Sequence, residues 1–262
     1  MAVHTIKVTG NSIKIQGVVP WDTFGTKEFV YVDSEGKRQN QTVNEGDTIV
    51  IEGANQATTY AILDGTDKAV LDKYKLIIKG GTSDDRYIFG KNIRACQVEI
   101  DDAGGNNLVE GSGNMVLEGY KPSEGKHPDP TLLAGILQIA FNGNGTNLVK
   151  LDKSDDMPFS VKADNVFITG SDGKDLLYTN DLEVKYMVFD GKGDPGTKND
   201  EQDVWIALSQ PAMANVPINA AFRPSPLSLK ETLANYGKYS ETLKKLVDDF
   251  NGKVDEFKEN FN

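Results

Sequence analysis

Residues 229–261 read LKETLANYGKYSETLKKLVDDFNGKVDEFKENF, and the spacing of their apolar side chains predicts an α-helical coiled coil. Apolar or aromatic residues recur at alternating intervals of four and three positions, and Ser240 is the single interruption of the series. A helix that packs straight along its own domain repeats every ~3.6 residues, so a strict seven-residue repeat favours a supercoil. The positions that we expect to join the helices are Leu229, Leu233, Tyr236, Leu243, Val247, Phe250, Val254, Phe257 and Phe261.

The residues that flank this segment mark where the helix begins. Pro224 and Pro226 end whatever structure precedes it, and Ser228 stands three residues before Glu231 as a capping-box pair. One alternative interpretation stays open, in which the segment is an amphipathic helix that packs on the protein's own β domain.

The size of the core side chains indicates how many helices associate. Val247 and Val254 would suit a parallel dimer, whereas Tyr236, Phe250 and Phe257 are bulky and fit better around a wider axis. The sequence therefore predicts a homo-oligomer, with a trimer favoured over a dimer.

Upstream of Pro224 the chain alternates between short apolar–polar strands and turns. Val3 to Thr9 and Ser12 to Gln16 are joined through Gly10-Asn11, a two-residue hairpin signal, and Asn142 to Thr146 reads as a second hairpin loop. No tandem repeat stands out. Such strands predict a mainly β protein, with one or two β-sandwich or barrel-like domains followed by the C-terminal coiled coil. Further predicted strands are Glu28 to Val32, Thr48 to Glu52, Thr59 to Leu63, Tyr74 to Lys79, Ile93 to Ile100, Asn114 to Gly119, Gly135 to Phe141, Asn147 to Leu151, Phe159 to Lys162, Asn165 to Thr169, Leu182 to Phe189 and Asp203 to Leu208.

Two polar breaks divide the β region. Gly80 to Asp85 is rich in glycine and aspartate, and Pro122 to Pro130 is rich in proline. We place a small N-terminal β domain at residues 1–81, a larger β domain at 82–221, and a linker with the coiled-coil helix at 222–262.

Composition excludes several classes of protein. A formal net charge of −11 argues against nucleic-acid binding, and no apolar run approaches the ~18 residues of a membrane span. The start of the chain lacks the features of a signal peptide, which predicts synthesis in the cytoplasm. Cys96, the one cysteine, cannot form an internal disulfide, and we expect it to be a buried strand residue on the same side as Val98 and Ile100.

No catalytic set can be assembled from local spacing. His4 and His127 are isolated, and Glu110 to Asn114 does not match the nucleophile-elbow pattern. We therefore expect no enzymatic activity, no cofactor and no catalytic metal. A pair of carboxylates that meets only in space, as in glycoside cleavage, stays open.

Acidic clusters and tryptophans are the remaining candidates for binding. Asp152 to Asp156 and Asp190 to Asp194 are interpreted as solvated turns, with a structural calcium site as the alternative. Trp21 is a candidate surface platform for stacking on sugars, whereas Trp205 is expected to pack in a core.

A β-rich acidic body with a terminal coil resembles bacteriophage virion proteins of the fibre, baseplate or head-decoration type. This resemblance implies a structural protein of the virion whose β domains attach to other virion proteins or to a receptor on the host surface, and whose coiled coil oligomerises them. A cell-surface carbohydrate-binding or adhesin module is the alternative function. It would place Trp21 at the ligand.

Overall fold

Eighteen β-strands make up the regular structure of the residues that are described. The computed structural model describes residues 2–20, 27–62, 71–111, 113–120, 134–151, 159–179, 182–192, 204–207 and 212–213, and no helix occurs within these ranges. In chain order the strands are β1 (Val3–Lys7), β2 (Ser12–Pro20), β3 (Lys27–Val32), β4 (Arg38–Val43), β5 (Thr48–Glu52), β6 (Thr59–Ile62), β7 (Leu71–Lys79), β8 (Arg86–Phe89), β9 (Asn92–Asp102), β10 (Leu108–Gly111), β11 (Gly113–Leu117), β12 (Ile136–Phe141), β13 (Asn147–Leu151), β14 (Phe159–Thr169), β15 (Asp175–Thr179), β16 (Leu182–Asp190), β17 (Val204–Ala207) and β18 (Ala212–Met213).

Apart from β2 to β4 and the pair β11 and β12, successive strands alternate between two sheets. The first sheet has the order β1-β5-β7-β9-β11-β14-β16-β18, with β12 also paired to β9 and β14, and the second has the order β17-β15-β13-β10-β8-β6-β2-β3-β4. Among the described strands, the antiparallel pairs are β2 with β3 and β3 with β4, and the other pairs are parallel. The chain therefore passes from one sheet to the other and back, and each circuit, or rung, stacks on the one before. This arrangement is a parallel β-solenoid.

Columns of apolar side chains fill the interior between the two sheets. Parallel register places five isoleucines of the first sheet in one column, and each is at most 1% exposed. They are Ile51, Ile78, Ile100, Ile139 and Ile168. Side chains alternate between the two faces of a strand. A shift of one residue in register would therefore expose the apolar side chains of a rung and bury its polar ones. The repeated column therefore fixes the register of the stack.

The long strands of the first sheet pass through a bend. β9 pairs with β11 along its first part and with β12 along its second part, and β14 pairs with the same two strands from the other side. Cys96 in β9 and Asp164 in β14 lie between the two parts. Tyr120, shortly after β11, packs against Cys96 at this bend.

The prediction of a mainly β protein is confirmed, but the predicted hairpins are wrong. β1 and β2 flank Gly10-Asn11 and belong to different sheets, as do β12 and β13 on either side of Asn142 to Thr146. Both turns are corners of the solenoid. The structure shares two sheets and a common core with the predicted sandwich or barrel, whereas its strands are mostly parallel, because each returns to its sheet only after crossing the other one.

The predicted domain border at residue 81 falls on another such corner. β7 and β9, on either side of it, are neighbours in the first sheet, and one apolar cluster includes residues from both sides. The strands β4, β8, β10, β15 and β18 had not been predicted from the sequence. The predicted linker and coil, residues 222–262, lie outside the described residues.

Candidate functional site: a buried polar corner

One corner of the solenoid carries a polar residue on successive rungs. These residues, which we call the corner ladder, lie where the chain reaches the second sheet, and each is at most 3% exposed. They are Thr58, Asp85, Asn107, Asn147 and Asp175. Parallel register aligns them one above another, because β6, β8, β10, β13 and β15 pair in sequence. Buried polar groups in such numbers require partners.

The corner ladder supplies its own partners. Asp85 Oδ1 accepts a hydrogen bond from Thr58 N at 2.8 Å, and Asn107 Oδ1 accepts one from Asp85 N at 2.8 Å. Asn147 Oδ1 in turn accepts from Asn107 N at 3.1 Å, and its Nδ2 donates to Asp175 Oδ1 at 2.7 Å. Asp85, Asn107 and Asn147 thus each satisfy a backbone N–H of the preceding rung, and Asp175 accepts from the Asn147 amide. The ladder ties rungs together at the point where chain direction changes.

Asp102 brings a second carboxyl to the ladder beside Asp85. Its Oδ2 accepts from the Tyr87 hydroxyl at 2.5 Å, and its Oδ1 accepts from Gly104 N at 2.9 Å and from Asn107 Nδ2 at 2.9 Å. Both carboxyl-bearing residues are 0% exposed, and an oxygen of each lies close to Gly80. Asp85 and Asp102, which we call the carboxyl pair, are therefore sealed inside the corner.

Gly80 has no side chain, and this leaves space for oxygen atoms of Asp85, Tyr87 and Asp102 to come close together. A Cβ atom at this position would lie 2.1 Å from Asp102 Oδ2, 2.1 Å from the Tyr87 hydroxyl oxygen and 2.8 Å from Asp85 Oδ2. These separations are shorter than any van der Waals contact. The approach of the three oxygens therefore requires glycine at residue 80.

The environment of the carboxyl pair favours its protonated form. Burial raises the pKa of Asp85 to about 6 and that of Asp102 to about 7. The neighbouring carboxylate Asp84 further raises the pKa of Asp85, and Asp85 does the same for Asp102. Hydrogen bonds from neutral donors oppose these effects without cancelling them.

Two stacked tyrosines line the same corner. The rings of Tyr60 and Tyr87 have their centroids 4.9 Å apart and are nearly parallel, at 5°. Burial raises the pKa of both hydroxyls well above the ordinary value. Tyr87 donates to Asp102, whereas the Tyr60 hydroxyl has no hydrogen-bond partner within the described part of the chain. The two rings therefore pack alike and differ in how their hydroxyls are satisfied.

A second polar centre, which we call the ionic cluster, lies near the N-terminal end of the stack. Glu45 forms ion pairs with Lys27 and with Lys73, the latter at 2.8 Å, and its Oε2 accepts from the Tyr120 hydroxyl at 3.2 Å. The hydrogen bonds from Lys27 and then Lys73 lower the pKa of Glu45 to about 2. The cluster links β3, the turn before β5, β7 and the segment after β11.

Many of the residues that the sequence singled out lie outside the described ranges. These are the nine heptad positions Leu229, Leu233, Tyr236, Leu243, Val247, Phe250, Val254, Phe257 and Phe261, together with Trp21, His127 and Asp152 to Asp156. Trp205 belongs to β17 and lies opposite Leu177 of β15 in the register of the second sheet.

Other predicted residues do fall within the structure. His4 Nε2 lies 2.8 Å from Asp47 Oδ2, so this histidine pairs with a carboxylate that the sequence did not connect to it. The prediction that Cys96 is buried is confirmed, and burial raises the pKa of its thiol to about 11. Its expected placement with Val98 is wrong, because the bend puts Cys96 in a separate cluster with Tyr120. Asp190 accepts from Lys192 N at 3.1 Å within a local turn.

Sequence reasoning missed the corner ladder, although a signal for it exists. Gly80 to Asp85, Asp102 to Asn107 and Gly170 to Asp175 are segments of equal length that end in Asp or Asn, and each is followed by a short apolar strand. Taken alone, Gly80 to Asp85 is interpreted above as a break between domains. Their common spacing is the repeat of the solenoid, which insertions elsewhere in the rungs conceal.

Comparison of the chain with protein-family models, curated proteins and solved structures finds no match. Within the described residues, no group of three or more His, Cys, Asp and Glu side chains is placed to hold a metal ion. Those residues also contain no helix of the length and apolar character needed to cross a membrane.

Proposed function

We propose that this protein is a homo-oligomeric, non-enzymatic structural protein of a bacteriophage particle. In this proposal the β-solenoid serves attachment, to other virion proteins or to a receptor on the host surface, and the heptad segment 229–261 joins the subunits as a coiled coil. The observation that carries the proposal is the corner ladder, whose polar groups bind one another.

The corner ladder favours a mechanical role over a chemical one. Its carboxyl and amide groups are buried and mutually hydrogen-bonded, so they stiffen the corner and are not presented to a substrate. Rungs stacked about 4.8 Å apart extend the body along one axis. A stiff, extended body with flat outer faces suits a component that attaches one surface to another.

The N-terminal end of the second sheet also fits assembly through the heptad segment. β4 is the outermost strand there, and it is polar and mostly exposed, with Arg38 at its start. Polar and charged residues on an edge strand disfavour pairing with another chain. If the subunits do not associate through this edge, another element must join them. In this proposal that element is the heptad segment 229–261.

The test is the mass of the protein in solution, measured by light scattering. We expect a trimer for the full chain and a monomer when Phe250 and Phe257 are both replaced by Asp, because two charges would then be buried without partners in the coil. The β-sheet circular dichroism of the double variant should be unchanged. A chain stopped at Ala221 serves as the second variant and should also be monomeric.

Two results would contradict this proposal. If the full-length protein is monomeric at micromolar concentration, residues 229–261 do not join subunits. The interpretation as an amphipathic helix packed on the protein's own β domain would then be favoured. An oligomer that survives both changes would show that the solenoids hold the assembly.

A monomeric protein would favour the second candidate, a carbohydrate-binding or adhesin module. Phe167 and Tyr186 are partly exposed on the outer face of the first sheet, with ring centroids 5.8 Å apart. Gln138 lies opposite Phe167 and Asn165 lies opposite Tyr186 in the strand register. Aromatic faces beside side-chain amides are groups that can stack on and hydrogen-bond to sugars.

A further inference from the structure

The carboxyl pair is a site where two acids meet without a cation. The groups that reach the two carboxyls are the backbone N–H groups of Thr58, Gly81 and Gly104, the amide of Asn107 and the hydroxyl of Tyr87. All of these donors are neutral. They stabilise one negative charge and provide no full positive charge to balance a second.

The titratable groups that face the pair add no positive charge either. Tyr87 of β8 and Tyr60 of β6 face it from the second sheet, and both stay protonated because burial raises their pKa values. Asp84, in the turn before β8, is a further acid. Full ionisation of the pair would therefore place two negative charges in a buried corner near a third.

The two carboxyls also approach each other closely. Asp102 Oδ2 and Asp85 Oδ2 lie 2.1 Å and 2.8 Å from the same point, the position that a Cβ atom of Gly80 would take. Both residues are fully buried, so two ionised carboxylates would repel each other there with little screening by water. A proton on one of them removes that repulsion.

We infer that Asp85 and Asp102 hold one proton between them, and that its loss above neutral pH loosens the corner of the solenoid formed by residues 80–85 and 102–107. The pair is thus a pH-sensitive latch built into the body of the protein. The inference is independent of the proposed virion role, because it concerns the solenoid alone.

The direction of the effect follows from linkage. In the unfolded chain an aspartate titrates near pH ~3.9. The pair has raised pKa values in the folded protein, of about 6 and about 7, so the folded state binds more protons between these limits. Its contribution to stability is fully present below about pH 4 and is lost as the pH rises through about 7.

The first test is thermal unfolding of the full chain, followed by circular dichroism at pH 5 and pH 8. The wild-type midpoint should fall by several degrees between these values. Asp102→Asn should remove most of that fall, because the amide oxygen can still accept from Gly104 and Asn107 and the amide carries no charge at either pH.

Asp164→Asn is the matched control. The ion pair with Lys185 and the hydrogen bond from Gly135 lower the pKa of Asp164, so this carboxyl is ionised at both pH values. Its replacement should leave the difference in midpoint between pH 5 and pH 8 as in the wild type. An equal fall in midpoint for the wild type and Asp102→Asn would overturn the inference.

A second measurement uses the unaltered protein, in case Asp102→Asn does not fold. Infrared spectroscopy should detect a protonated carboxyl at about pH 5.5, where ordinary aspartates are ionised, and its band should vanish by about pH 8. Amide exchange at Gly81 and Gly104 should then exceed its intrinsic increase with pH. A protein without a protonated carboxyl at about pH 5.5 would refute the shared proton.

Discussion

The carboxyl pair and the ionic cluster hold the same kind of group in opposite conditions. Asp85 and Asp102 are sealed among neutral donors, and their pKa values are raised by burial and by neighbouring acids, Asp84 for Asp85 and Asp85 for Asp102. Glu45 lies between Lys27 and Lys73, and its pKa is lowered to about 2. The difference shows that two ammonium groups can outweigh the cost of desolvating a carboxylate, whereas the neutral donors around the carboxyl pair do not.

The largest expected effect comes from crowding the carboxyl pair. Gly80→Ala places a Cβ atom 2.1 Å from Asp102 Oδ2 and from the Tyr87 hydroxyl oxygen. We expect a loss of about 3 kcal/mol in the free energy of unfolding, since overpacking combines with a displaced buried hydrogen bond. Urea denaturation measures it.

Gly36→Ala is the control for this substitution. A Cβ atom there meets nothing within 4 Å, although its φ of +78° disfavours alanine. Backbone strain at this φ should lower the free energy of unfolding by about 1 kcal/mol. If Gly80→Ala is no more destabilising than this control, the packing of the three oxygens around Gly80 is not as tight as the structure shows.

An intermediate effect distinguishes the two stacked tyrosines. Tyr87→Phe removes the donor to Asp102 and should cost about 2 kcal/mol, because a buried acceptor loses its partner. Tyr60→Phe should cause no loss in stability, since the Tyr60 hydroxyl has no partner within the described residues. Both substitutions keep the stacked rings. Equal losses for the two variants would mean that the hydroxyl of Tyr87 contributes nothing beyond its ring.

The smallest effect tests the ionic cluster. Glu45→Gln should cost about 1 kcal/mol at pH 7, because both ion pairs are partly exposed to solvent. Since the pKa of Glu45 is lowered from 4.5 to about 2, this stability is present above about pH 4.5 and is lost as the pH falls toward 2. The difference between wild type and variant in urea denaturation should shrink accordingly.

Lys162→Ala provides the reference for an exposed ion pair. Lys162 bonds Glu183, and both side chains are more than half exposed. We expect no measurable change in stability at any pH between 3 and 8. A Glu45→Gln variant that behaves like Lys162→Ala would show that the cluster is an ordinary surface pair.

Strand positions were predictable where the strands were long. Alternation of apolar and polar residues located β7, β9, β14 and β16, because a strand with one buried face carries period two whatever its partners. The short strands β8, β10 and β15 were missed, because each adjoins a polar turn and carries few apolar residues of its own. Each begins at a member of the corner ladder or directly after one, so the ladder would have located them.

The pairing of those strands was not predictable from the same pattern. Gly10-Asn11 suits a tight hairpin and suits a corner between two sheets equally well. The carboxyl pair was likewise hidden, because Asp85 and Asp102 lie on consecutive rungs and meet only when those rungs stack. Tyr120 reaches Glu45 across 75 residues, a contact that local spacing does not encode.

The sequence by itself determined that this protein is mainly β, where its longer strands lie and that Cys96 is buried, because period-two alternation and apolar character are local properties. Tertiary structure alone decided that the strands run parallel in a solenoid, that polar corner residues form a ladder, and that two aspartates share a corner without a cation. The physical reason is that apolar–polar alternation is the same in parallel and antiparallel strands. Which strands become neighbours is decided only when the rungs stack, and local sequence does not encode that.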